Sequence, residues 1–219
     1  MNRPRVTLSF AQTLDGRVAA VDGSSQWISG SESLRFCHSV RAAHDAIMVG
    51  IGTVLRDDPR LTVRLVDGRN PLRVIVDSTL RTPPTAAVIR DGAARGTVIA
   101  CTDAAPTKRC EALRACGATV LSFPATPDGR VDLAALLVAL GECGIASVMV
   151  EGGARLLTSL LRARLADAVA ITIAPLILGA GPAAIGDLGI TALGQAIKVR
   201  NATWTTYGAD VVVEGQIEY

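Results

Sequence analysis

Short apolar runs recur along this 219-residue chain, each separated from the next by a stretch long enough to hold a helix or an extended loop. Val6 to Phe10, Ala46 to Val49, Leu72 to Val76, Thr97 to Cys101, Ala118 to Leu121, Ser147 to Val150 and Ala168 to Ala174 all read as strands. Runs this short and this continuously apolar suit burial on both faces, the condition of a parallel sheet covered by helices. Helical patterns occupy most of the intervals. Ser29-Gly30-Ser31-Glu32 opens a helix that reaches Ala42, with Ser29 and Glu32 at capping-box spacing. A second helix lies near Pro106 to Cys116. A third, from about Asp132 to Gly141, places Leu133, Leu136, Leu137 and Leu140 at i, i+3, i+4 and i+7, the stripe of a sheet-covering helix.

The end of the chain changes character. Ile197 to Thr206 and Asp210 to Glu218 flank Tyr207-Gly208-Ala209 and read as an antiparallel hairpin. The expectation is one α/β domain over residues 1–219, with a mixed, mostly parallel sheet, helices on both faces and a C-terminal antiparallel hairpin. No internal repeat, low-complexity tract or linker divides it.

Composition narrows the function classes. Hydrophobic residues at 49% and charged residues at 19% exclude global disorder, and aromatics at 3% leave the core to Val, Ala, Leu and Ile. A net charge of +2 gives no electrostatic case for nucleic acid or membrane as partner. The most apolar stretch, Ala168 to Leu178, is about half the length that spans a bilayer and is broken by Thr172 and Pro175. Met1-Asn2-Arg3-Pro4-Arg5 runs into a strand without the apolar region of a signal peptide. Five cysteines with no Cys-x-x-Cys argue against a disulfide framework and a zinc site, so reduced thiols in the cytoplasm are expected.

Three stretches carry the chemistry. In Val148-Met149-Val150-Glu151-Gly152-Gly153-Ala154 a strand ends at a glycine pair that leads into a helix. Free amides at a helix start, closely approachable because glycine lacks a side chain, suit a phosphate or pyrophosphate. Glu151 stands at the carboxyl end of that strand, where open α/β sheets bind ligands. A plain strand-to-helix connection with a surface acid is the other reading. No Rossmann G-x-G-x-x-G or P-loop is present, and Leu178-Gly179-Ala180-Gly181-Pro182 leads into proline rather than a helix.

On the helix from Ser31 to Ala42, residues Leu34, Cys37, His38 and Arg41 share one face. A guanidinium on that stripe wants an anion, either a phosphate or Asp45 four residues on. His38 reads as a core histidine. In Gly50-Ile51-Gly52-Thr53-Val54-Leu55-Arg56-Asp57-Asp58-Pro59, a helical turn puts Thr53 and Asp57 on one face, and Pro59 disfavours helix at Asp58. Arg64, on the extended segment beyond, completes an anion pocket; a capped turn with solvated charges is the alternative.

Together QTLDGRVAAVDGSSQWISG, VRAAHDAIMVGIGTVLRDDPRLTVR, PLRVIVDS and VMVEGGARLL…ADAVAITIAPLILGAG resemble, in order and over residues 5–182, the pyrimidine reductase family of riboflavin biosynthesis. The resemblance implies a dihydrofolate-reductase-like fold, NADPH as hydride donor, a homodimer, and reduction of a ribosylamino-pyrimidine 5′-phosphate at C1′. It implies substrate contacts at Ser25, Arg41, Leu61, Arg64 and Glu151. Its cofactor contacts fall on Ala11, Trp27, Thr53, Asp57, Ser78 and the turn from Gly153 to Ser159, with Gly152, Ala154, Arg155 and Leu156 at its start. Asp57 is the candidate for stabilising an iminium or moving a proton to the opening sugar, and Glu151 for fixing the pyrimidine or sugar hydroxyls. No metal is expected.

Three features depart from the family pattern. Neither H-x-E nor P-C-x-x-C occurs, so no zinc deaminase chemistry is expected of this chain. Ser9 stands where many relatives place a lysine. Asp77 ends a strand where a Rossmann reading would put a ribose-hydroxyl partner and favour NADH. Two other readings stay open: a relative acting on another heterocycle, and a nucleotide-binding protein that kept the fold without the reaction.

Overall fold

The computed structural model describes residues 3–219; Met1 and Asn2, which belong to the N-terminus discussed above, lie outside the described residues. In chain order the elements are β1 (Arg5–Thr13), α1 (Ser31–Ala42), β2 (Ala46–Gly50), α2 (Ile51–Asp57), β3 (Leu72–Val76), β4 (Thr97–Thr102), α3 (Thr107–Ala115), β5 (Thr119–Phe123), α4 (Leu133–Glu142), β6 (Ser147–Glu151), α5 (Ala154–Arg162), β7 (Ala168–Ala174), β8 (Lys198–Tyr207) and β9 (Asp210–Glu218). Among the described residues they form one nine-stranded sheet ordered β5-β4-β3-β2-β6-β1-β7-β9-β8. Every pairing from β5 to β7 is parallel, and β7–β9 and β9–β8 are antiparallel.

The apolar runs are buried on both faces, and alternation along each strand divides them between two cores. Ala46 and Met48 of β2 point into one core, with Val74, Val98, Ala100, Leu136, Leu137 and Leu140 of α4, and Leu156, Leu157, Leu160 and Leu161 of α5. Ile47 and Val49 point into the other, with Ile75, Ile99, Cys101, Ile51 and Val54 of α2, and Leu113 of α3. Fully burying a side chain of this kind contributes about 1.5–3 kcal/mol. That alternation holds helices against both faces.

Local chemistry sets most helix ends. The Asp132 carboxylate accepts from the amides of Ala134 and Ala135 at 2.9 and 3.1 Å and so starts α4. Helix α2 stops as expected before Pro59, with Asp58 left-handed at φ 38°. The start of α1 differs from the expected capping box. Gly30 is the capping residue, and its amide donates to Asp210 Oδ2 at 2.7 Å. A carboxylate from the start of β9 serves that end of the helix in place of Ser29 and Glu32.

Strand order places the carboxyl ends of β3, β2, β6 and β1 side by side, and those ends carry the site. At the opposite sheet edge, β8 is solvent-exposed along nearly its whole length. No helix among the described residues is long and apolar enough to cross a membrane.

Candidate active site

A cavity of about 1290 Å³ opens at these four strand ends. It exceeds the roughly 300–1,000 Å³ typical of a single small-ligand pocket, leaving room for two ligands. Ala11 of β1, Ser25 and Trp27 of the β1–α1 loop, Thr53 and Asp57 of α2, Leu61, and Ser78 after β3 line it. So do Glu151, Gly152, Gly153, Ala154, Arg155, Leu156 and Ser159. Segments far apart in sequence therefore share one space.

The glycine corner is a requirement of the backbone. Gly152 and Gly153 have φ of 71° and 84°, a left-handed region that side-chain-bearing residues rarely adopt. A Cβ on Gly153 would sit 3.6 Å from Thr53 Oγ1 and 3.9 Å from the Gly50 amide nitrogen. Gly50, Thr53 and Gly153 thus frame a narrow cradle. Helix α5 begins there without a side-chain cap, so its first amides face the cavity end free for an anion. Cradle, helix start and cavity size fit the pyrophosphate of a dinucleotide.

Glu151 is held from one side. Arg41 Nε and Nη2 donate to Glu151 Oε1 and Oε2, each at 2.8 Å, and Nη1 donates to the Thr62 carbonyl. The Cys37 thiol donates to Glu151 Oε1 at 3.5 Å, and burial together with the neighbouring carboxylate raises its pKa, keeping the proton on sulfur. The alternative pairing of Arg41 with Asp45 is overturned. Asp45 pairs with Arg69 and accepts from the Ala146 and Ser147 amides, because it caps the entry to β6 rather than facing α1. Arg41 itself does not line the cavity; it stands behind Glu151. Ser33, Leu34 and Cys37 of α1 line the cavity and His38 and Arg41 are buried, so the face shared by Leu34, Cys37, His38 and Arg41 is the inward one, widened by Ser33.

The adjacent aspartates of α2 part company. Asp57 lines the cavity half-buried, and burial raises its pKa against the opposing effect of Arg56. Asp58 turns away to accept from the Ala87 amide at 2.6 Å and to pair with Arg90. His38 is structural: its Nδ1 accepts from the Arg64 amide at 2.9 Å, and burial, with help from the Arg41 and Arg64 charges, pulls its pKa to about 4. Arg64 lies outside the cavity lining. Its guanidinium donates to Thr62 Oγ1 at 2.8 Å and to the Thr62 carbonyl at 3.1 Å. Desolvation and the nearby Arg41 and Arg60 charges lower its pKa.

Asp77 lines the cavity at the end of β3, and its Oδ1 has no hydrogen-bond partner among the described residues. It is 0% exposed, and its Oδ2 accepts from the Thr82 amide and hydroxyl, both at 2.7 Å. Sequence reasoning passed over Phe10, Ser33, Arg81 and the 126–134 segment, all of which line the cavity. The sequence signal for Arg81 and Arg130 is no more than a cation in a loop that follows a strand.

Fold and cleft define an α/β domain of the dihydrofolate-reductase type. A dihydrofolate reductase from Enterococcus faecalis, solved with NADP(H), shares the fold with a TM-score of 0.53 at 12% identity, over 98% of each chain. The chain belongs to the RibD C-terminal domain family, which matches residues 4–213. A 2,5-diamino-6-ribosylamino-4(3H)-pyrimidinone 5′-phosphate reductase of Methanothermobacter thermautotrophicus is 45% identical over 217 residues, 97% of each chain. The solved RibD of Acinetobacter baumannii superposes with a TM-score of 0.85 at 26% identity, covering 99% of this chain and 58% of that one. By family, the chain is a reductase.

Proposed function

We propose that this chain reduces a ribosylamino-pyrimidine 5′-phosphate to its ribitylamino form, with NADPH delivering hydride to C1′ of the sugar. The observation that carries this reading is the single cavity joining the Gly152-Gly153 corner, Asp57 and Glu151. The substrate class follows from the relative that is 45% identical to this chain.

When bound, NADPH supplies the hydride. The chain holds and orients the reactants. The α5 amides and the Gly50–Gly153 cradle take the pyrophosphate, while Ala11, small at the end of β1, leaves space for the reacting end. Trp27, Thr53, Ser78 and Arg155 line the remaining path. Holding two reacting carbons in contact geometry contributes on the order of 7–11 kcal/mol to lowering the barrier. Glu151, fixed by Arg41, presents its carboxylate to the pyrimidine or sugar hydroxyls. Asp57, with its raised pKa, is the acid placed to hand a proton to the sugar oxygen as the ring opens. Arg64, with Ser25 and Leu61 nearer the cavity, takes the 5′-phosphate; Arg41 is committed to Glu151 and the Thr62 carbonyl.

The exposed β8 edge, with Trp204 at 67% exposure and Val199 at 40%, supports a homodimer that covers this strand. Light scattering that returned only a monomer at enzymological concentrations would remove that element. The five free thiols suit a reducing cytoplasm.

The test follows NADPH absorbance with the diamino-pyrimidinone phosphate and its deaminated uracil counterpart in parallel. Oxidation with one or both is the expected result. NADPH bound but not oxidised with either substrate would overturn the assignment.

A further inference from the structure

The cavity wall contributed by the β1–α1 loop is held by two tethers. Among the described residues, every hydrogen bond made by residues 19–29 stays inside that stretch: Ala20 with Ser24 and Gly23, Ser24 with Asp22, and Ile28 with Ser25. Ser25, Gln26, Trp27, Ile28 and Ser29 of the same stretch line the cavity. A segment so sparsely bonded to the rest of the fold takes its position from its ends. At one end the Val18 amide donates to the Pro182 carbonyl at 3.0 Å. At the other the Gly30 amide donates to Asp210 Oδ2 at 2.7 Å. Asp210 is a fixed point. It is 2% exposed, it pairs with Tyr207 across the β8–β9 hairpin, and the next residue, Val211, pairs with Ile173 of β7. The hairpin turn also lies against the first turns of α1. The Phe36 and Tyr207 rings stand 4.9 Å apart, and a Cβ on Gly208 would come within 3.2 Å of Glu32 Oε1.

We propose that Asp210 is a positioning residue for ligand binding, clamping the start of α1 so that the β1–α1 loop holds Ser25 and Trp27 at the cavity. This rests on the reading that those two side chains meet substrate and cofactor. A carboxylate on a backbone amide at a helix start makes a charge-assisted bond that the helix dipole favours. Helix α1 has no side-chain cap from its own capping residue, so without Asp210 this end of the loop loses its bond to the sheet while the Val18 tether stays. Asp210 is not among the residues lining the cavity; its influence passes through the Gly30 amide. The consequence is specific. Once the loop spends time out of place, apparent affinity falls by the fraction of molecules that remain binding-competent. The chemical step, at Asp57 on the far side of the cavity mouth of α2, is spared.

The experiment compares the unmodified protein with Asp210→Ala, Asp210→Asn and Gly30→Pro, the last removing the donor at a φ of −75° that proline accepts. Steady-state kinetics with NADPH and the pyrimidinone phosphate gives KM and kcat. In parallel, a Trp204→Phe background leaves Trp27 as the single tryptophan, whose fluorescence anisotropy decay reports motion of the loop. Asp210→Ala and Gly30→Pro each raise KM about three- to thirtyfold with kcat within about twofold, and Trp27 gains fast local motion. The double variant goes no further than either one. Asp210→Asn, which keeps an acceptor oxygen, retains most of both properties. A lowered melting temperature with KM and Trp27 anisotropy unchanged makes Asp210 a helix cap only and overturns the proposal. So does a loss confined to kcat, or additive effects of the Asp210 and Gly30 variants. If the unmodified protein oxidises NADPH with neither pyrimidine phosphate, the functional reading fails, and Trp27 anisotropy alone decides on the clamp. Circular dichroism checks the fold of each variant; if Asp210→Ala does not fold, Gly30→Pro carries the comparison.

Discussion

Arg41 and Glu151 lie 110 positions apart in sequence and meet through two parallel hydrogen bonds of 2.8 Å at the end of β6. Both side chains are largely withdrawn from solvent, at 8% and 16% exposure. In such a setting the loss of one partner leaves an uncompensated charge, at a cost of about 3–5 kcal/mol.

Arg41→Ala therefore lowers the melting temperature. Because Glu151 loses its orientation, the variant also raises KM to a similar degree for the phosphorylated substrate and for its dephosphorylated analogue. Arg41→Lys, which cannot make the two-point contact, recovers only part of either property. An effect confined to the phosphorylated substrate would mean that Arg41 reaches the phosphate.

Arg64 behaves differently. Among the described residues its guanidinium is bonded only to Thr62, two residues away, and it is exposed, so Arg64→Ala leaves thermal stability nearly unchanged. Loss of a charge-assisted phosphate contact raises KM for the phosphorylated substrate by roughly ten- to a hundredfold, with little change for the dephosphorylated analogue. Steady-state kinetics on the two substrates decides the matter, and parallel changes in both would exclude a phosphate role.

For Asp57 the relevant parameter is turnover. Asp57→Asn preserves the size and burial of the side chain and removes its proton chemistry. It lowers kcat by at least about 10²-fold while the circular dichroism spectrum stays native. Turnover within a few-fold of the unmodified enzyme would take Asp57 off the catalytic list.

His38 makes stability depend on pH. Its pKa falls from 6.5 in the unfolded chain to about 4 in the fold, so between these values the unfolded state binds more protons. Its contribution is complete above pH 6.5, declines as the pH falls toward 4 and levels off below that. His38→Asn retains an acceptor for the Arg64 amide and has nothing to protonate. Denaturant titrations across this window should show a flatter stability slope for the variant; identical slopes would remove His38 as the cause.

Much of the fold was legible because its signals are local. β3 and β7 begin and end where the apolar runs Leu72–Val76 and Ala168–Ala174 do, since turn residues bound both. The Gly152-Gly153 corner was readable for the same reason: a strand, two glycines and a helix start are contiguous. What escaped depends on distant partners. The cap of α1 comes from Asp210, 180 positions away, and no spacing rule reaches that far. Arg41 was seen to need an anion, but Asp45 was the nearest candidate in sequence while Glu151 was the nearest in space. The position of Asp77 at a strand end was visible, but its bonds to Thr82 were not.

The central claim is that this cavity brings the reacting end of NADPH to C1′ of a phosphorylated ribosylamine. The most direct measurement uses NADPH deuterated at nicotinamide C4, on each face in turn, with the product read by NMR. The account predicts that one of the two labelled cofactors places a single deuterium at C1′ of the ribityl chain. Cofactor oxidation that leaves C1′ unlabelled in both experiments would contradict it.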